Sequence, residues 1–275
     1  MCVGFYTLAH PDYALVLCTN RDEYLDRPTT PAHFHSFSTH SQPNILSGID
    51  IRAGGTWLGI TRSGKIAFLT NITEEYKPYG SSRGDLVATF LSSEPEEDVI
   101  PRDGAYAGFN LLLLIPAWRG HTLSFNGTFV TNHGGGGPLT HRPSQSSGGL
   151  SNSIDGQSPE SWPKIQHGLD AFTSVMNAIS PSTPEKELAD NLFQLLTWKS
   201  SQPPSARSEL RNTVEVEPFI MPGSQGFYGT RLATVILVKR TGDVYFIERD
   251  RWMLGDAKPV LSASQREFRF FINDV

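Results

Sequence analysis

Apolar, β-prone residues fill positions 2–9 and 13–19, and the intervening His10-Pro11-Asp12 carries turn chemistry, so the chain opens with a hairpin. A turn centred near Pro11 sets Cys2 across from Asn20, with Arg21 beside it. Residues 28–44, rich in Pro, Ser, Thr and His, read as a loop. Stretches 56–62 and 65–71 predict a second hairpin turning at Ser63-Gly64. Residues 82–93 place Leu86, Val87, Phe90 and Leu91 on one side of a helix, and 110–117 reads as a buried strand partnered by 121–130. The glycine-rich stretch 134–149 is a low-complexity insert, expected as a mobile loop. Two amphipathic helices follow. In 161–179, Trp162, Ile165, Leu169, Phe172, Met176 and Ile179 recur in three- and four-residue steps; Leu188, Leu192, Leu195 and Leu196 repeat the pattern in 184–198. A Pro/Ser/charged connection (199–228) leads to strands at 230–240, 243–250 and 266–272. Strands first, helices in the middle and strands last predict one α+β domain over 1–275, with the terminal strand groups in shared sheets.

Composition narrows the classes. Hydrophobic residues make 38% of the chain and charged ones 19%, which supports a globular core. The net charge of −5 and the lack of a long basic stretch argue against sequence-independent nucleic-acid binding. No run approaches the ~18 apolar residues of a spanning helix. The first residues lack the basic and apolar regions of a secretory signal, so the glycosylation patterns at Asn71 and Asn126 read as chance and a cytoplasmic protein is expected. Two cysteines make no disulfide framework. Gly54-Gly55 precedes a strand and carries no Lys-Ser/Thr, so it serves a positive φ or a close backbone approach rather than phosphate binding. His33, His35 and His40 cluster without paired helical spacing, and no metal site is expected.

The candidate chemistry begins at Cys2. If Met1 is removed, Cys2 carries a thiol and a free α-amine, whose pKa near ~7.7–8 suits it to take the thiol proton. The plainer reading is a small buried apolar residue. Asn20-Arg21-Asp22-Glu23 follows the apolar run 14–18 directly. It reads either as a solvated strand end or as an arginine and an acid held near Cys2, where arginine lowers a thiol pKa.

These features resemble the NRDE family, also called the transport and Golgi organisation protein 2 family. The resemblance rests on Met1-Cys2, Asn20-Arg21-Asp22-Glu23, Gly54-Gly55-Thr56-Trp57-Leu58-Gly59, Leu69-Thr70-Asn71 and Arg83-Gly84-Asp85-Leu86-Val87. It continues through Gly108-Phe109-Asn110-Leu111, Gly149-Leu150-Ser151-Asn152, Tyr228-Gly229-Thr230-Arg231, Gly242-Asp243-Val244 and Glu248-Arg249. The glycine-rich insert at 134–149 and the loop at 33–44 depart from the pattern. The family is similar in layout to N-terminal-nucleophile hydrolases of the bile-salt hydrolase and penicillin V acylase branch. That implies a four-layer αββα sandwich of two antiparallel sheets. It also implies a site of Cys2, Arg21, Asp22 (or Glu23), Asn71, Asn152 and Arg231. There Cys2 attacks an acyl carbonyl, its α-amine shuttles the proton, Asn71 and Asn152 hold the oxyanion or the amine, and Arg21 and Arg231 set the potential. The plainer readings are strand-end or turn asparagines and an exposed strand arginine.

The resemblance implies two functions. One is an enzyme that hydrolyses a carbon–nitrogen amide or thioester of a small acyl substrate and needs no cofactor. The other is a carrier that uses the same pocket for noncovalent haem or acyl-CoA. Either comes with roles in Golgi organisation, secretion and lipid homeostasis, and with peripheral association at Golgi, ER or mitochondria.

Overall fold

The computed structural model describes residues 2–38, 42–93, 106–154, 162–180 and 182–273. In chain order its elements are β1 (Val3–Thr7), β2 (Tyr13–Tyr24), β3 (Thr29–His35), β4 (Ile45–Asp50), β5 (Leu58–Thr61), β6 (Ile66–Asn71), α1 (Arg83–Ser92), β7 (Phe109–Arg119) and β8 (Thr122–Thr131). They continue with β9 (Thr140–Pro143), β10 (Ser147–Leu150), α2 (Pro163–Ala178), α3 (Glu185–Leu196), β11 (Phe219–Ile220), β12 (Phe227–Lys239), β13 (Asp243–Asp250), β14 (Trp252–Gly255), β15 (Lys258–Leu261) and β16 (Gln265–Phe271). The protein is α+β, built on two seven-stranded antiparallel sheets. It divides into two compact units. The first is Met1–Arg27, Ser146–Ser151 and Ser158–Arg269; the second is Pro28–Gln145, Asn152–Gln157 and Phe270–Val275.

In the first unit the strand order is β10-β1-β2-β12-β13-β16, with β11 on β12. The two ends of the chain therefore share a sheet: β2 pairs with β12, and Cys18 stands opposite Val235. Alternate residues build the core. Val3 and Phe5, Val16 and Cys18, Val235 and Leu237, and Tyr245 and Ile247 pack with Ile165 and Phe172 of α2 and with Leu188, Leu192 and Leu196 of α3. Each large side chain buried there stabilises the fold by about 1.5–3 kcal/mol before entropy is counted.

The second unit is a meander, β3-β4-β5-β6-β7-β8-β9. Helix α1 starts at a capping box in which Ser82 and Asp85 serve each other's backbone N–H groups. It buries Leu86, Val87, Phe90 and Leu91 in a cluster with Ile45, Ala67, Leu69 and Leu111. The Gly54-Gly55 pair works as expected. Gly54 takes φ +83°, and a Cβ on Gly55 would lie 2.4 Å from the carbonyl carbon of Gly84 in α1.

Three departures from the sequence reading have physical causes. Residues 28–44 are not all loop, because β3 forms there. It is an edge strand, and its register slips between Thr30 and His33, around Pro31, where a missing N–H is tolerated. Stretch 134–149 is not all loop either: β9 extends one sheet beside β8 and β10 extends the other beside β1. β9 is exposed at every position, so it carries no alternating signal. The β14–β15 hairpin turns at Asp256-Ala257, both at positive φ (50° and 60°), without the Asn-Gly signal that such turns favour. Among the described residues no helix is long and apolar enough to cross a membrane.

Candidate active site

The first unit places Cys2 against the Asn-Arg-Asp-Glu segment. Val3 pairs with Asn20, one residue from the expected register, so Cys2, just before the strand, comes level with Arg21 and Asp22. Ser151 Oγ donates to the Cys2 carbonyl at 3.0 Å and ties it to the end of β10. The backbone N–H of Asp22 is hydrogen-bonded to the thiol. The segment is no solvated strand end: β2 runs on to Tyr24 between β1 and β12, and Asn20, Arg21 and Asp22 are buried.

Buried polar groups need partners, and β12 supplies several. Thr230 Oγ donates to Asp22 Oδ1 at 2.6 Å and accepts the Val216 N–H at 2.8 Å. Tyr228 OH donates to the Asp22 carbonyl at 3.1 Å. Asn20 is structural. Its Nδ2 donates to the carbonyls of Leu196, at the end of α3, and Val214, at 2.9 and 3.0 Å. Glu23, the alternative acid, accepts the Tyr24 N–H at 2.8 Å and lies 3.8 Å from Arg27. Arg231 is the extra residue of a β-bulge: Thr230 pairs with Asp22 and Leu232 with Arg21. Its guanidinium donates to the Arg27 carbonyl.

Burial pushes the Cys2 thiol up, and the Asp22 carboxylate adds to this. The positive N-terminus, the Asp22 N–H and Arg21 pull the other way. Sequence reasoning missed Lys164. It is fully buried in the first turn of α2, and its Nζ has no hydrogen-bond partner among the described residues. Nζ stands 5.6 Å from the Trp162 ring. Burial lowers its pKa to about 8, against the steadying charges of Asp22 and Cys2. The signal was available: Lys164, Gly168 and Phe172 fall at four-residue steps on the buried face of α2.

The two asparagines belong to the second unit and meet there. Asn152 Nδ2 donates to the Asn71 carbonyl at 2.5 Å, and the Thr73 N–H donates to the Asn152 carbonyl at 2.8 Å. Asn110 Nδ2 holds the Ser153 carbonyl at 2.8 Å. His35 Nε2 bonds with Ser47 Oγ at 2.7 Å and His33 Nδ1 with the Pro31 carbonyl at 2.9 Å, while His40 lies outside the described residues. Among the described residues no group of three or more His, Cys, Asp or Glu is placed to hold a metal.

The model of the Transport and Golgi organisation 2 family matches residues 1–253. The Transport and Golgi organization protein 2 homolog of Bos taurus is 32% identical over 98% of this chain and 99% of its own. Among solved structures, the Caenorhabditis elegans ortholog of N-acylethanolamine-hydrolyzing acid amidase aligns with TM-score 0.48 and 10% identity, over 86% of this chain and 92% of its own. A mutant of the conjugated bile acid hydrolase of Clostridium perfringens aligns with TM-score 0.47 and 8% identity, over 99% and 98%.

Proposed function

The chain belongs to the Transport and Golgi organisation 2 family, and on that premise we propose that it hydrolyses the amide or thioester of a small acyl substrate through Cys2. The observation that carries this reading is the buried Cys2 thiol with the Asp22 N–H on it and Arg21 and Asp22 alongside. An N–H aimed at sulfur favours the thiolate, and an arginine nearby adds to that. Where Met1 is removed, the α-amine of Cys2 takes the thiol proton as Sγ attacks. Work on Golgi, ER or mitochondrial surfaces, as the names of the relatives suggest for the Golgi, is part of the same proposal.

A second reading is favoured by one observation. Burial outweighs the groups that favour the thiolate and holds Cys2 protonated, which suits a pocket that binds haem or acyl-CoA without turnover. Intact mass before and after a limiting dose of iodoacetamide separates the two. Fast single labelling that disappears in Cys2→Ala supports the hydrolase. An unreactive Cys2, with micromolar binding of acyl-CoA or haem (about −8 kcal/mol), supports the carrier and overturns the hydrolase.

A further inference from the structure

Lys164 breaks three local rules together. It is a cation in the first turn of a helix, where the macrodipole disfavours positive charge. It is wholly buried. Its Nζ makes no hydrogen bond among the described residues, and a buried polar group left that way costs stability. A well-packed core that tolerates such a group is expected to use it.

Its place follows from the packing of α2 on β1. Gly168 of α2 abuts Phe5, and Phe172 stacks on the same ring with centroids 6.4 Å apart. Lys164 precedes Gly168 by one turn on the same face, roughly 6 Å nearer the helix start. Ile165 reaches Gly149, which pairs with Phe5 across β10 and β1. These contacts seat α2 over β1 and β10 at the level of Phe5. The charges that act on Lys164 are those of Asp22 and Cys2, and Arg21 acts on Cys2 from the neighbouring strand. The Trp162 ring covers another side.

We propose that Lys164 Nζ is the proton acceptor for Cys2 Sγ–H in a chain that keeps Met1, where the α-amine belongs to another residue. This rests on the hydrolase reading above. The neutral amine of Lys164 takes the thiol proton as Sγ bonds to the acyl carbonyl carbon and the carbonyl π pair moves onto oxygen. When that pair returns, the bond to the leaving amine or thiol breaks, and the Lys164 ammonium returns the proton to it. Water then attacks the thioester. Lys164 takes the water proton and delivers it to the departing Sγ.

The test is the pH dependence of Cys2 alkylation by iodoacetamide in the full chain with Met1 retained, its mass verified and the labelled residue mapped to separate Cys2 from Cys18. The wild-type rate is expected to rise through about pH 8. Lys164→Met should slow labelling at that pH by about 10²-fold. Lys164→Arg should slow it equally, because a guanidinium keeps a positive charge but accepts no proton. A Lys164→Arg chain with the wild-type profile would mean that charge alone matters, and it overturns the proposal. So does a Lys164→Met chain that labels like wild type, with Lys164→Gln measured in its place if near-ultraviolet circular dichroism shows the Met chain unfolded. In both of those outcomes the hydrolase reading stands. A wild-type Cys2 that never labels overturns both.

Discussion

Gly168 and Phe5 share a space that one methyl group would overfill: a Cβ on Gly168 would lie 1.9 Å from Phe5 Cζ. Phe5 is fully buried between β1 and the helices and has no open side to move into. Alanine in a helix normally gains about 1 kcal/mol over glycine, but overpacking a dense core costs about 1–3 kcal/mol. Gly168→Ala is therefore expected to lower stability, read as a reduced urea midpoint with an unchanged slope. A rise in the midpoint would contradict this packing.

Thr230 holds two buried groups with one hydroxyl, the Asp22 carboxylate and the Val216 N–H. Thr230→Ala strands the N–H and removes a donor from the carboxylate. The expected loss is about 1–3 kcal/mol, with slower alkylation of Cys2 as Asp22 loosens. Thr230→Ser keeps the hydroxyl and should recover most of both in the same denaturation and labelling measurements.

The paired glycines before β5 should respond differently. At Gly54 only the positive φ matters, since among the described residues nothing lies within 4 Å of where a Cβ would stand, and Gly54→Ala should cost about 1 kcal/mol. At Gly55 the new Cβ would strike the Gly84 backbone at 2.4 Å, and neither backbone can rotate away. Gly55→Ala should lower the melting temperature clearly more than Gly54→Ala. Equal effects would mean that α1 does not lean on that turn.

The buried Lys164 gives stability a pH signature. Its ordinary pKa of 10.5 falls to about 8 in the folded chain. Between those values the unfolded chain binds a proton that the folded one has lost, so stability from this group rises with pH. Lys164→Met is expected to be more stable than wild type at pH 7, by about 3 kcal/mol, and the gap should shrink by about 1 kcal/mol from pH 8 to 9. Above pH 9 the raised thiol pKa of Cys2 acts in the opposite sense, because the folded chain keeps a proton that the unfolded one gives up. Urea denaturation across pH 7–9 checks this; a constant gap would mean that Lys164 does not titrate there.

Periodicity made much of this molecule legible. The apolar faces of α1, α2 and α3, the opening hairpin and the shared sheet of terminal strands could be read directly, because each is a local repeat that water forces to one side. The family motifs likewise marked Cys2, Arg21, Asp22, Asn71, Asn152 and Arg231 as a group. Tertiary structure decided where they and their neighbours stand. It buried Asn20, Arg21 and Asp22 in a central strand and made Asn20 a clamp on α3. It put Arg231 on a bulge against Arg27 and paired Asn152 with Asn71. It drew strands from the polar stretches at 29–35 and 140–150, where edge pairing by the backbone needs no side-chain pattern. Lys164 shows the limit most clearly. Its four-residue spacing to Gly168 was in the sequence, but only packing could bury it with no hydrogen-bond partner among the described residues and bring it under the charges of Asp22 and Cys2. Periodicity depends on neighbours along the chain, whereas desolvation depends on which distant segments close over a group.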